Sequence, residues 1–385
     1  MTERIYYNDS YLREFQARVV ETADGGRRVY LDRTAFYPTS GGQPFDLGSL
    51  ERARVIDVID EGERIAHVVD RPLEPGDVRG EIDWARRYDH MQQHSGQHLL
   101  SAVFIELYRM ETVSFHLGQE TCTIDLETPA VTAEQVRAVE MRANELVCEN
   151  RPIVVSFHEA QEDLGLRKAS DREGVLRVVS IDALDRSACG GTHLHATGEI
   201  GPVLIRKLEK IRNTVRVEFL CGMRAVRRAR ADYEALTRVG QMFSSSLDEV
   251  PASVAVQMEA AKEAEKVRRK LAADLAVYQG RELYDATAAD AGGVRRVVRR
   301  LASGNFDDLR GIAQSFTAHP KAVFVGAIED PPSVLLAVSA DAGIDAGKSL
   351  KAALTEAGGR GGGAARMAQG SVPSKDLVEK VLAHF

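Results

Sequence analysis

The sequence has little that could staple a small secreted domain together. Its four cysteines among 385 residues, Cys122, Cys148, Cys189 and Cys221, are too few and too scattered for a disulfide framework. That favours a reducing, cytosolic setting, where a cysteine near histidines reads as a metal ligand. No apolar run approaches the ~20 residues of a bilayer span. The opening, MTERIYYNDSYLREF, lacks an apolar signal core, so secretion is not expected. Strong positive charge is also missing. A net charge of −7 argues against blanket electrostatic capture of nucleic acid, leaving RNA contacts to local patches in the near-neutral region after about residue 220. There is no H-E-x-x-H, no G-x-S-x-G elbow and no P-loop lysine. The zinc-protease base, the hydrolase nucleophile and the Walker cradle are therefore excluded in their usual forms.

What is present is an ordinary soluble composition, 44% hydrophobic and 28% charged, at a length that suggests two to four domains. Residues 1–83 alternate short β-branched or aromatic runs with turn chemistry such as ADGG and SGGQPFDLG, which predicts a small β-barrel or sandwich, the barrel preferred. Residues 84–222 read as an α+β domain. It opens on a proline-free helix from Trp84 and contains a second helix with Thr132 as N-cap and Gln135 at the capping-box position. Residues 223–285 are nearly all helical, with Pro251 at the start of a long amphipathic stretch. That arm is either a strut packed on its own chain or a homodimerisation element. Residues 286–385 form a separate α/β unit, with AVFVGAIED and SVLLAVSAD as a buried strand pair. Its glycine-rich tail, read as a loop, offers Arg360, Gly361, Gly362, Gly363 and Arg366 for phosphate or RNA.

The stretch HMQQHSGQHLL places His90, His94 and His98 four residues apart on one helical stripe. Such a stripe can be a metal site, a polar patch in a core, or an accident. CGGTH, residues 189–193, repeats the spacing in a glycine turn. His94, His98, Cys189 and His193 make the tetrahedral N/S set that zinc prefers. His90 is then surplus, a surface residue or a supporting one, and His195 a residue facing away.

TAFYPTSGGQPFDLG, DHMQQHSGQHLLSA, VSFHLG, ACGGTHLHATGEIG and RVEFLCGMRAV, in that order, resemble the editing region of alanyl-tRNA synthetase, and still more the AlaX alanyl-tRNA editing proteins. The tail GGRGGGAARMAQGS resembles the DHH-associated domain of that synthetase. Because the motifs begin at the first residues given, the resemblance is to the long free-standing form. It implies a zinc-dependent aminoacyl-tRNA hydrolase acting on mischarged tRNA(Ala), chiefly Ser-tRNA(Ala) with Gly-tRNA(Ala) as a second substrate. The alternative is a non-catalytic RNA-binding protein with a structural zinc. A DHH-type phosphoesterase is disfavoured, because DHM lacks the second histidine.

The resemblance also assigns residues. The metal set carries over to His94, His98, Cys189 and His193. Gln97 stands where relatives often have threonine, Thr192 is a pocket candidate, and the Ser40, Gly41, Gly42 and Gln43 loop faces substrate. His116 and Asp125, on neighbouring strands, either assist catalysis or are structural. An aminoacyl ester needs a placed water and a stabilised oxyanion. Whether zinc activates that water or orients the amino acid stays open at this level.

Overall fold

The computed structural model describes residues 1–159, 164–168 and 174–385. Two compact units are present, Met1–Arg238 and Val239–Phe385.

The first unit begins with a closed six-stranded barrel, in the order Glu14–Ala23, Arg28–Leu31, Ile65–Val69, Ala53–Asp60, Gly48–Leu50 and Gly76–Ile82. Strict alternation drives it. Phe15, Ala17 and Val19 point inward while Glu14, Gln16 and Arg18 stay in solvent, and Val29, Leu50, Val55, Ile65 and Val78 complete the core. Closure leaves no free strand edge.

The barrel hands over directly to helix α1, Trp84–Tyr108, whose N-cap Asp83 accepts from the Arg86 amide. From His90 to Phe104 this helix is buried on every face, although Gln92, Gln93, His94, Ser95, Gln97, His98 and Ser101 are polar. Burial of that many polar groups is tolerable only with partners. Gln93 shows how it is done: its amide brackets residue 221, donating to the Cys221 carbonyl at 3.0 Å and accepting from the Cys221 amide at 2.9 Å.

Around α1 lie two antiparallel sheets. One runs Val203–Ile211, Thr214–Cys221, Cys122–Leu126, Thr112–Leu117; the other Ile153–Glu159, Val175–Ile181, Asp185–Ala188. Helix α2, Ala133–Glu149, carries the expected Thr132–Gln135 capping box. Leu99, Val103, Phe104, Ile124, Leu146, Val179 and Phe219 form the shared core. Helix α3, Gly222–Phe243, follows the last strand without a loop.

The second unit contains helix α4, Val250–Ala286, and a five-stranded sheet ordered Arg295–Leu301, Ala322–Ile328, Ser333–Val338, Met367–Ser371, Arg360–Ala364. The buried strand pair read from the sequence is its centre. One face carries Leu309, Ile312 and Phe316 of helix α5, Phe306–Thr317. The other face packs Leu350 and Leu354 of helix α6, Ala346–Glu356, with Val378 and Val381 of helix α7, Lys375–Leu382.

The glycine-rich tail departs from expectation. Gly361, Gly362 and Gly363 lie in an edge strand rather than a loop, paired with Met367–Ser371. A Cβ on Gly361 would meet the Gln369 carbonyl and Gly370 Cα of the paired strand at 2.5 Å, and one on Gly370 would meet Leu354 of α6 and the Arg360 carbonyl. Close approach of strand to strand and of α6, rather than turn geometry, therefore favours glycine there. Arg360 and the three glycines remain exposed, whereas Arg366 donates from Nε to the Val338 carbonyl. Among the described residues no helix is long and apolar enough to cross a membrane.

Candidate metal centre

The centre is assembled from three segments. The first is a two-residue barrel hairpin. Ser40 and Gln43 exchange backbone hydrogen bonds of 3.1 and 2.9 Å across Gly41 and Gly42, both at positive φ (55° and 83°). The turn drives the fully buried Gln43 side chain inward. Helix α1 supplies His94 and His98 one turn apart, and the loop after Asp185–Ala188 supplies Cys189 and His193.

One donor atom from each of His94, His98, Cys189 and His193 lies within 4.8 Å of all the others. Cys189 Sγ is 3.4 Å from His94 Nε2 and 3.3 Å from His193 Nε2. Each ring is clamped by its other nitrogen. His94 Nδ1 meets Gln43 Oε1 at 2.7 Å, His98 Nδ1 meets Asp185 Oδ2 at 3.1 Å, and His193 Nδ1 meets Ser95 Oγ at 3.1 Å. Gly191 leaves room for this, because a Cβ there would stand 2.1 Å from the His94 ring.

Electrostatics suit a bound cation. Burial alone would raise the Cys189 thiol, but the His94 and His193 rings hold it well below its usual value. Burial pulls His98 down, yet the Asp185 carboxylate and the sulfur outweigh it and carry His98 to about 9. His193 is lowered by burial to about 3. Arg177 Nη1 donates to the Cys189 carbonyl at 2.7 Å, placing positive charge behind the thiolate.

The donor set fits zinc. Tetrahedral ligands at the usual Zn–N and Zn–S lengths stand roughly 3.3–3.7 Å from one another, and the two sulfur–nitrogen separations, 3.3 and 3.4 Å, match. Nδ1 hydrogen bonds on all three rings leave every Nε2 as the ligating atom.

A cavity of about 510 Å³ opens onto His94, His98 and Cys189. Ser40, Gly41 and Gln97 line it. Gln97 Nε2 donates to Ser101 Oγ at 2.9 Å, and its Oε1 has no hydrogen bond among the described residues.

Other expected site residues fall elsewhere. Gln43 turns its amide to His94 and to Thr192, donating to Thr192 Oγ1 at 2.8 Å. Thr192, the chain neighbour of His193, is fully buried and hydrogen-bonds Gln43. Gly42 backs onto Phe115, where a Cβ would meet the Phe115 carbonyl at 2.7 Å. His116 is exposed and strand alternation turns it away, because its neighbour Phe115 is the residue stacked on His94. Asp125 is held by Arg216 and Ser114, a structural pairing. His195 faces away and stacks on Tyr11. His90 is neither a surface residue nor a support for the four donors: it is buried, and it lines a different cavity.

Sequence reasoning missed Asp185, Ser95 and the orienting role of Gln43. Only Asp185 carried a signal, four residues before Cys189, at the start of the strand that leads into the Cys189 loop.

Comparison with known proteins adds relatives. Residues 176–217 match the threonyl and alanyl tRNA synthetase second additional domain, and residues 293–385 match the DHHA1 domain. The chain is 29% identical to alanyl-tRNA editing protein AlaX-L of Pyrococcus horikoshii, covering the whole of both. It is 34% identical to alanyl-tRNA editing protein Aarsd1 of Rattus norvegicus over 77% of each. It is 32% identical to alanine–tRNA ligase of Pyrococcus furiosus, over 99% of this chain but 43% of the ligase, so it spans under half the length of the ligases it matches.

Proposed function

Because the chain belongs to the alanyl-tRNA editing family, we propose that it hydrolyses the ester of mischarged tRNA(Ala), chiefly Ser-tRNA(Ala) with Gly-tRNA(Ala) as a second substrate, at a zinc centre. One observation carries this reading: three clamped imidazoles and a thiolate converge where an open cavity can admit an aminoacyl end.

His94, His98, Cys189 and His193 would hold the ion, which supplies Lewis acidity when bound. Gln43, Asp185 and Ser95 fix the rings, so little reorganisation is needed when charge develops in the cavity. Gln97 is the selecting residue. Its unpaired Oε1 accepts the seryl hydroxyl, and an alanyl group in the same place leaves that oxygen without a donor; a glycyl group gains nothing from this contact either, so the seryl ester is the substrate it selects. Leaving a polar group unpaired costs about 1–3 kcal/mol, roughly five- to 160-fold in rate.

The second unit is read as the tRNA-binding part. The exposed Arg360 and the Gly361–Gly363 strand meet the RNA backbone, and Arg366, tied to Val338, shapes that edge from behind. Helix α4 exposes Val256, Leu271, Leu275 and Tyr278, which supports homodimerisation along it. The activity belongs in the cytoplasm, where tRNA is charged.

The test is incubation with seryl-, glycyl- and alanyl-tRNA(Ala), with and without chelator. Release of serine, sparing of alanine and loss of activity on chelation are expected. Binding of tRNA(Ala) without turnover would replace this reading with a non-catalytic RNA-binding protein.

A further inference from the structure

A second cavity, about 890 Å³, lies at the N-terminal end of α1, beyond the hairpin that carries Gln43. The chemistry of the metal centre does not use it. Three aromatic side chains line it, Phe45, Trp84 and Tyr88, together with Arg86, Arg227 and His90. Arg227 has no ion pair or hydrogen bond among the described residues, and the Arg86 guanidinium, which donates to the Phe45 carbonyl and lies over the Phe45 ring, has no carboxylate partner among them. Arg224 is neutralised by Asp89, leaving two uncompensated cations. His90 is 3% exposed, its Nδ1 has no partner, and its ring makes no hydrogen bond among the described residues. Leaving such a group unpaired is costly, which marks a place where a ligand completes the bonding.

Aromatic rings beside guanidiniums that lack a carboxylate partner suit single-stranded nucleic acid, with bases on the rings and phosphates on the cations. The two cavities flank one hairpin loop: Ser40 and Gly41 face the metal centre, Pro44 and Phe45 the second cavity. His90 precedes His94 by one helical turn, about 6 Å, or one to two nucleotide steps at ~3.4 Å when stacked.

We infer that this second cavity binds the unpaired nucleotides that precede the terminal adenosine of the substrate RNA. Phe45, Trp84 and Tyr88 take the bases, Arg86 and Arg227 the phosphates. The identity of the strand end rests on the editing reading; the cavity's preference for single-stranded RNA does not.

Trp84 is the sole tryptophan, so its emission reports occupancy directly. The wild-type protein is titrated with a single-stranded RNA tetranucleotide ending in CCA. Saturable quenching is expected, and Arg227→Ala should flatten the log-affinity against log-salt slope by about 0.7, one phosphate contact. In parallel, hydrolysis is followed with Ser-tRNA(Ala) and with seryl-adenosine, which ends before the second cavity. Arg227→Ala, and Met223→Glu at another residue lining this cavity, should raise KM for the tRNA about tenfold, with kcat held, and shift KM for seryl-adenosine less than twofold. Absent quenching, or equal KM shifts for the two esters, overturns the inference. Quenching by the tetranucleotide with no hydrolysis of either ester by wild type defeats the editing reading and supports the cavity as an RNA site.

Discussion

Gln43 Oε1 lies 2.7 Å from His94 Nδ1, joining the barrel hairpin to the central helix through one hydrogen bond. The same amide donates to Thr192 Oγ1, so a single side chain ties the barrel to both halves of the donor set. Gln43→Ala should lower zinc affinity about 10- to 100-fold, the usual loss when a ligand's orienting partner is removed. The barrel should stay folded, because Gln43 sits outside its apolar core. Chelator competition and circular dichroism together check this. Unchanged affinity would show that His94 needs no such partner.

Cys189→Ala should abolish both zinc retention and seryl-ester hydrolysis, since it removes the thiolate about which the histidine nitrogens gather. Metal content by mass spectrometry and a deacylation assay read the two losses separately. Full activity in the metal-free variant would remove zinc from the reaction.

His67, fully buried in the barrel, hydrogen-bonds Thr34 Oγ1 at 2.8 Å, and burial holds its pKa to about 4. Its unfolded value is ~6.5, so between those values the unfolded chain binds the extra proton. Stability is therefore fully present above pH ~6.5 and falls as pH drops toward 4, with a slope of at most about 1.4 kcal/mol per pH unit from this group. His67→Gln should shrink the difference in melting temperature between pH 7 and pH 4.5. His90 and His193, each lowered to about 3, add a dependence of the same sign in the metal-free protein.

Arg87 and Asp46 form an ion pair with both side chains fully buried, and Arg87 also donates to the Ser10 and Ala35 carbonyls. Arg87→Ala strands a buried carboxylate and should cost about 3–5 kcal/mol. Arg87→Lys should recover little, because a single ammonium cannot match four directed bonds. Urea unfolding monitored at Trp84 measures both variants.

The four donors were legible because ligand spacing is local: four residues on a helix or in a tight turn bring two side chains together whatever else the fold does. The barrel was legible for a similar reason, its period-two alternation being written along each strand. Gln43, Asp185 and Ser95 were not, since each meets its histidine through one contact 51, 87 or 98 residues away in the chain. Sequence spacing also placed His90 on the metal stripe, but from His90 to Phe104 α1 is buried on every face, and its turns meet two different cavities. The glycine strand defied propensity because the paired strand's backbone comes so close that a Cβ on Gly361 or Gly363 would collide with it.

The three ring clamps have a consequence for assembly. Their anchors, Gln43, Ser95 and Asp185, reside in the barrel hairpin, the long helix and a separate sheet. None can align its imidazole until its own segment has docked. The centre thus works as a coincidence detector, closed only when three independent pieces of chain are in register. A partly folded molecule carries loose donors with no common focus, and is silent by construction.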